Sequence, residues 1–153
     1  MLRLSAGLTL GRRRGLLLGG ILLAGLGGWS MASAAPTALS GPIAKAVAAG
    51  RQSFLHDTFG GNGKTCSSCH TAAGQGPTMT PNGGHFPSLD AAATHFPRYN
   101  ARAGHVITLQ DQIRACVTGA LGGKPPAPDS VTMTELVSYL TSLSQGKPMD
   151  MGR

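Results

Sequence analysis

The chain has 153 residues and a formal net charge of +7, with 13 lysines and arginines against six acidic residues. Four of those basic residues are arginines within positions 1–14, so 35–153 carries only nine, and the charge gives no support for nucleic-acid binding. The 119 residues from 35 onward are enough for one domain, which would bury roughly two-thirds of its unfolded surface.

The first 34 residues have the three-part pattern of a secretory signal peptide. A basic start (Met1–Arg14) precedes an apolar stretch (Leu16–Leu26), and Ala32-Ser33-Ala34 is a small-x-small cleavage site. The apolar stretch is shorter than the roughly 20 residues that span a bilayer, so we expect no stable membrane anchor. The pattern therefore predicts a signal peptide over 1–34, export to the periplasm, and a single mature domain over 35–153.

The first helix of this domain is predicted from Pro42 to about Phe54. Proline suits an opening position of a helix, and apolar residues recur at helical spacing in this stretch. Gly60-Gly61-Asn62-Gly63 then interrupts the pattern, and glycines allow a backbone to approach a flat ring closely. The helix and the glycine-rich loop therefore come directly before the motif that follows.

Cys66-Ser67-Ser68-Cys69-His70 is the Cys-x-x-Cys-His attachment motif of a c-type haem. The two thiols add to the vinyl groups of the porphyrin, and the adjacent histidine offers an imidazole nitrogen to the iron. The alternatives are half of a zinc site and a thiol–disulfide redox pair. A zinc ribbon needs a second ligand pair, but Cys116 is the only other cysteine, and the βαβ pattern of a redox pair is absent. The motif predicts one covalent haem c and one-electron chemistry.

Residues 71–104 are rich in glycine and proline and show little periodicity. A loop of this length is unusual in a compact domain unless it wraps around something, and the face of a haem is a suitable object. We expect four apolar side chains of this segment to pack on it: Phe86, Leu89, Phe96 and Tyr99. No strand is predicted in this segment or elsewhere in the chain.

Two more helices are predicted in the C-terminal half of the chain. Thr108 caps a helix that runs to about Leu121, with Asp111 in its first turn. The last helix runs from about Thr132 to Leu143, and Thr132 with Glu135 fits a capping box. The polar tail after it is expected to be loose. These elements predict an all-α, small c-type cytochrome fold with helices packed around one covalently bound haem.

His70 leaves one axial position of the iron open, and the ligand there largely sets the potential. Cys116 is the first choice, because it is unpaired, lies on the apolar stripe of its helix, and follows His70 by 46 residues. A thiolate stabilises ferric iron and lowers the potential. The alternatives for Cys116 are a buried inert thiol and an intermolecular disulfide. The other candidate donors are Met79, Met133, His85, His95 and His105.

The stretch from His95 to Leu143 resembles a known family. It looks like the haem domain of periplasmic thiosulfate dehydrogenases, and it is similar to the catalytic haem subunit of the thiosulfate-oxidising multienzyme system. The resemblance covers most of 54–144. It rests on Phe96-Pro97-Arg98-Tyr99-Asn100, Val106-Ile107-Thr108-Leu109-Gln110-Asp111, Cys116, Gly123-Lys124-Pro125, Asp129-Ser130 and Tyr139-Leu140.

The resemblance implies that Cys116 is both the distal ligand of the iron and the catalytic residue at which a sulfur substrate is processed. It also implies binding or oxidation of thiosulfate or a related small sulfur anion. The dehydrogenases carry a second haem domain, whereas this chain has one attachment motif. The families usually have an arginine four residues before the ligand cysteine, where this chain has Gln112. Arg98, Arg102 and Arg114 remain as candidate contacts for an anion.

Three functions follow from these expectations. The first is an electron-transfer cytochrome that works with a redox partner protein, such as another cytochrome, in sulfur oxidation. The second is a catalytic, thiosulfate dehydrogenase-like enzyme that works with a separate cytochrome. The third is a haem-based sensor, which no residue favours specifically. The sequence alone leaves open whether the chain is an enzyme.

Overall fold

The computed structural model describes residues 39–152. They form three α-helices: α1 (Gly41–His56), α2 (Leu109–Gly119) and α3 (Val131–Leu143). The predicted signal peptide, 1–34, lies outside the described residues. Within 39–152, no helix has the length and apolar character needed to cross a membrane.

α1 and α3 form the main helix pair of the domain. At their closest approach, a Cβ on Gly50 would overlap the carbonyl oxygen of Glu135, so only glycine allows the two backbones to approach this closely. Further along, the rings of Phe54 and Tyr139 meet edge to face with centroids 5.4 Å apart. The first helix is therefore confirmed, and its packing on α3 depends on a small residue at position 50.

α2 begins as the sequence predicts. The Thr108 side chain accepts a hydrogen bond from the Asp111 backbone, and the Asp111 carboxylate accepts one from the Thr108 backbone. Its buried face consists of Leu109, Ile113 and Val117, which follow each other every fourth residue. The prediction of this helix and its cap is confirmed.

The cap predicted for the last helix is wrong. Ser130, not Thr132, is the N-cap of α3, and its hydroxyl accepts a hydrogen bond from the Met133 backbone. Both residues have a suitable hydroxyl, but the backbone of Ser130 is extended while Thr132 already lies inside the helix. Predicted helix ends are the least certain part of a periodicity argument.

The core lies where the three helices meet. Met133, Leu136 and Val117 are its largest fully buried side chains. The rest of the buried apolar cluster consists of Phe54, Leu109, Ile113, Leu121, Tyr139 and Leu140. Apolar residues on one face of each helix thus account for most of the core, as the helical spacing predicts.

Two small antiparallel hairpins correct the expectation of no strands. β1 (Thr78–Met79) pairs with β2 (His85–Phe86), and β3 (Arg98–Asn100) pairs with β4 (His105–Ile107). Strands of two or three residues are too short to show an alternating pattern in the sequence. The second hairpin matters for the site, because β4 leads directly into α2.

The C-terminal tail is attached, contrary to the expectation that it is loose. The Lys147 ammonium lies 3.2 Å from a carboxylate oxygen of Asp90. The backbone N–H of Asp150 donates to the Thr94 carbonyl at 3.0 Å. The tail side chains are mostly exposed, so its attachment depends on polar contacts that a hydropathy pattern does not reveal.

The close approach of α1 and α3 gives a test of the fold. Gly50→Ala should lower the free energy of unfolding by about 1–3 kcal/mol, because the added methyl group forces the helices apart. Gly119→Ala in α2 is the matched control, since a Cβ there meets no atom within 4 Å. The control should leave stability unchanged or raise it by up to about 1 kcal/mol. Equal stability of the two variants in denaturant titration would contradict this packing.

Candidate haem site

A tight turn that follows α1 and the glycine-rich loop presents the Cys-x-x-Cys-His residues. Cys66–Ser68 forms one turn of 3-10 helix, and the His70 N–H donates to the Cys66 carbonyl at 3.0 Å. The Ser67 hydroxyl donates to the Leu55 carbonyl at 3.2 Å, which ties the turn to the last residues of α1. The helix therefore fixes the place of the motif, as expected from their order in the sequence.

The glycine-rich loop joins the motif to the end of α2. The Asn62 N–H donates to the Leu121 carbonyl at 2.7 Å, and the Asn62 side-chain amide donates to the Ala120 carbonyl at 3.2 Å. A Cβ on Gly61 would overlap the Leu121 carbonyl oxygen. This contact brings the segment that carries Cys66 and Cys69 beside the helix that carries Cys116.

A cleft of about 380 Å³ opens between these segments. Its lining is mostly apolar and includes all three cysteines and His70. Its volume lies in the range of cavities that hold cofactors and other small ligands, roughly 300–1,000 Å³. The other residues that line it include Phe86, Pro87, Leu89, Phe96, Arg98, Leu109, Gln112, Ile113, Leu136 and Leu140.

Three of the four side chains expected to pack on a haem line this cleft, but Tyr99 does not. Tyr99 is 63% exposed. Its neighbour Arg98 faces the cleft instead, and successive residues of a strand point to opposite sides. Tyr99 is paired across the hairpin with Val106, which is also exposed. The prediction for Tyr99 is wrong because a strand, and not an irregular loop, forms there.

His70 is held as a neutral imidazole. Burial lowers its pKa, and a weaker interaction with the Pro87 backbone acts in the opposite direction. The ring meets the edge of Phe86 with centroids 5.6 Å apart. Its Nδ1 atom is buried without a hydrogen-bond partner among the described residues, so the Pro87 backbone does not reach full hydrogen-bond geometry with it. A neutral imidazole is the form of histidine that binds metals.

The loop after His70 is attached to α3 through Tyr139. The Tyr139 hydroxyl donates to the Ala73 carbonyl at 2.6 Å, and the Leu89 N–H donates to the Gly74 carbonyl at 2.7 Å. Ala72 and Ala73 both have positive φ, which alanine rarely adopts. The chain therefore turns back sharply after the histidine, and this turn allows the following segment to form the other wall of the cleft.

Cys116 lies at the cleft but outside the core. The sequence predicts it on the inward stripe of its helix, whereas it is exposed and the buried stripe passes through Ile113 and Val117. The correction has a geometric reason: Cys116 projects beside the stripe, where α2 borders the cleft. Burial, and to a smaller extent the nearby Cys116, raises the pKa of the Cys66 thiol to about 11. The two sulfurs thus face a common space.

Two polar side chains connect to Cys116. The Gln112 side-chain N–H donates to its Sγ at 3.4 Å, and the Arg98 guanidinium donates to the Gln112 carbonyl oxygen at 3.0 Å. The sequence marks Gln112 only as a departure from the family pattern and Arg98 only as a candidate anion contact. The spacing of 112 and 116 by one helical turn predicts their contact, but the hairpin that brings Arg98 to them is not readable from the sequence.

Most of the other candidate donors lie away from the cleft. Met79 is 66% exposed, Met133 is 1% exposed within the core, and His85 and His105 are on the surface. His95 lines the cleft, with Nδ1 3.6 Å from a carboxylate oxygen of Asp150. Arg102 is exposed, and Arg114 donates to the Pro126 carbonyl at 2.9 Å. Cys116 and His95 are therefore the donors that join the motif at the cleft.

The residues at the cleft fit a group that brings its own metal. Within 39–152, no three His, Cys, Asp or Glu side chains are grouped to hold a metal ion by themselves. A haem needs only one or two protein donors to its iron, a large apolar surface, and two thiols for attachment. The cleft has these features. The Nδ1 atom of His70 is buried, so this side of the ring faces the protein.

Comparison with known proteins agrees with this geometry. Residues 49–149 match the model of the SoxA/TsdA cytochrome c domain. The chain belongs to this family. Membership of a cytochrome c family implies a haem c, and it confirms the resemblance found in the sequence. It also supports the fold expectation at the level of a cytochrome c domain with three helices.

The SoxA/TsdA relatives are longer proteins. The chain is 31% identical to a thiosulfate dehydrogenase of Allochromatium vinosum over 123 residues, which are 71% of this chain and 41% of the relative. It is 30% identical to the thiosulfate dehydrogenase of Stutzerimonas stutzeri over 88 residues, covering 58% and 26%. The chain thus spans less than half the length of these relatives.

Two solved structures share the fold. Thiosulfate dehydrogenase (TsdBA) from Marichromatium purpuratum, in its as-isolated form, superposes with a TM-score of 0.60 at 23% identity, covering 74% of this chain and 26% of that one. SoxXA from P. pantotrophus superposes with a TM-score of 0.56 at 23% identity, covering 72% and 37%. At this identity the likeness extends to the fold alone.

Proposed function

We propose that this chain is a periplasmic c-type cytochrome that holds one haem c covalently and transfers electrons in the oxidation of thiosulfate or a related sulfur anion. The observation that carries the proposal is the common cleft of Cys66, Cys69, His70 and Cys116. Membership of the SoxA/TsdA family supports the sulfur chemistry. We further propose that 1–34 is a cleaved signal peptide and 35–153 a single-haem domain.

Each residue has a separate role in this proposal. Cys66 and Cys69 would attach the cofactor through thioether bonds, and His70 would supply one axial ligand. Cys116 would supply the other, because it lines the same cleft as Cys66 and no methionine within 39–152 does so. His95 also lines the cleft, but its Nδ1 lies 3.6 Å from a carboxylate oxygen of Asp150. A bound haem supplies one-electron chemistry at its iron. The apolar walls would exclude water and strengthen the electrostatic effect of an anionic thiolate.

A redox partner is part of the proposal. The chain has one attachment motif, so electrons that arrive at this domain need an acceptor outside it. It spans 26% of the TsdBA chain and 37% of the SoxXA chain on which it superposes. Another cytochrome is the partner that the chemistry favours.

A second candidate function is catalysis of thiosulfate oxidation with a separate cytochrome partner. The observation that favours it is that Cys116 is exposed at a cleft that Arg98 also lines. Cys116 is exposed at the cleft, and the Arg98 guanidinium reaches its neighbourhood through Gln112. A thiolate and a guanidinium at one cleft are suited to a small sulfur anion, since guanidinium groups bind oxyanions well.

The ligation by Cys116 can be tested on the haem-loaded protein. Cys116→Ala and Cys116→Met should remove the thiolate features from the ferric electronic and paramagnetic resonance spectra. Cys116→Met should also raise the midpoint potential, since a thioether stabilises ferric iron less than a thiolate does. Met79→Leu is the control and should leave both unchanged, because Met79 lies outside the cleft. Unchanged spectra in the Cys116 variants would mean that Cys116 does not ligate the iron.

Turnover of thiosulfate distinguishes the two candidate functions. With thiosulfate and an artificial electron acceptor, an electron carrier should show no turnover by itself and should exchange electrons with a partner cytochrome. Turnover that is present in the wild-type protein and lost in Cys116→Ala would instead favour the catalytic function. The Met79→Leu protein again controls for unspecific effects of substitution.

A further inference from the structure

Three side chains form a hydrogen-bonded line that ends at Cys116. Arg98 Nη2 donates to Gln112 Oε1 at 3.0 Å, and Gln112 Nε2 donates to Cys116 Sγ at 3.4 Å. All three residues line the cleft. Gln112 and Cys116 are four residues apart on α2, so their side chains lie on the same side of the helix.

Arg98 determines which end of the Gln112 amide faces the sulfur. An amide group can present either its oxygen or its nitrogen, and the two orientations have nearly the same shape. A guanidinium has only donors, so the amide oxygen must face Arg98. The amide N–H₂ group is then left on the side of Cys116, where it donates to the sulfur.

Arg98 is itself held in place by two elements. In the second hairpin it is paired with Ile107, the residue before the N-cap Thr108 of α2, so the strand and the helix keep a fixed relation. Its guanidinium carbon lies 5.0 Å from the centre of the Phe96 ring. Arg98 forms no ion pair with a carboxylate in the described part of the chain, and Asp111 is occupied by the Thr108 cap. The positive charge therefore remains available to the amide.

We infer that Gln112 is a positioning residue for the Cys116 thiolate, and that Arg98 acts on the thiolate through Gln112. The inference rests on the proposed function, in which Cys116 is an axial ligand. An N–H donor withdraws electron density from a ligand sulfur, and hydrogen bonds to ligand sulfurs are a main means by which proteins tune iron sites. Gln112 thus makes the thiolate a weaker donor and raises the potential.

The test uses the haem-loaded full-length protein and substitutions at Gln112. Gln112→Leu keeps the size of the side chain but removes the N–H, so the midpoint potential should become more negative and the thiolate-to-iron absorption band should shift. The carboxylate introduced by Gln112→Glu can only accept hydrogen bonds and adds a negative charge, so it should shift the midpoint potential further in the same direction. Gln110→Leu is the matched control, since it lies on the same helix but does not line the cleft. Haem content and the unfolding midpoint should stay the same throughout.

A second pair of variants tests the role of Arg98. Arg98→Met removes the positive charge and the hydrogen bond to the Gln112 amide oxygen. The midpoint potential of the haem should therefore fall in this variant too. In the Gln112→Leu background the effect of Arg98→Met should be smaller, because the part that acts through the amide is already lost. An equal effect in both backgrounds would mean that Arg98 acts only as a distant charge.

The failure of this inference and the failure of the proposed function give different results. A thiolate-ligated wild-type protein whose potential and absorption band do not move in Gln112→Leu would overturn the positioning role alone. A shift of equal size in Gln110→Leu would do the same. A wild-type ferric spectrum without thiolate features would overturn the ligation on which both the inference and the proposed function rest.

Discussion

The contact between the glycine-rich loop and the end of α2 is the constraint on which the site depends. Asn62 hydrogen-bonds the Leu121 carbonyl at 2.7 Å, and the Lys124 N–H donates to the Phe59 carbonyl at 2.9 Å. A Cβ at Gly61 would overlap the Leu121 carbonyl oxygen. These backbone contacts join two segments about 60 residues apart in sequence, and they offset part of the entropy lost in closing that loop. They hold the segment before the attachment motif against the end of the helix that carries Cys116.

The cleft contains buried polar atoms without hydrogen-bond partners within 39–152, and these are unusual in folded proteins. The buried Nδ1 atom of His70 and the buried Nε atom of Arg98 both lack a hydrogen-bond partner in the part of the chain that the structure describes. Such atoms are costly in a folded protein, and they concentrate at functional sites. Burial also keeps His70 neutral and the Cys66 thiol protonated, with a pKa of about 11. These costs are understandable if the cleft is shaped around a cofactor.

The sequence predicts the first two helices and the Thr108 cap well, because these are local features. α1 and α2 follow from apolar spacing, and the Thr108 cap follows from a residue pair three positions apart. The prediction for Tyr99 is wrong because strands of three residues leave no periodic signal. The prediction that Cys116 faces inward is wrong because it projects beside the buried stripe of α2, where the helix borders the cleft. The line from Arg98 through Gln112 likewise depends on a tertiary contact.

The central claim is that the haem is bonded covalently to the two motif cysteines, Cys66 and Cys69, and not to Cys116. Trypsin does not cleave before proline, so a digest should place Cys66 and Cys69 in peptide 65–98 and Cys116 in peptide 115–153. Mass spectrometry of denatured, digested protein should then find the mass of one haem on peptide 65–98 and none on peptide 115–153. An unmodified peptide 65–98, or a haem mass on peptide 115–153, would contradict the account.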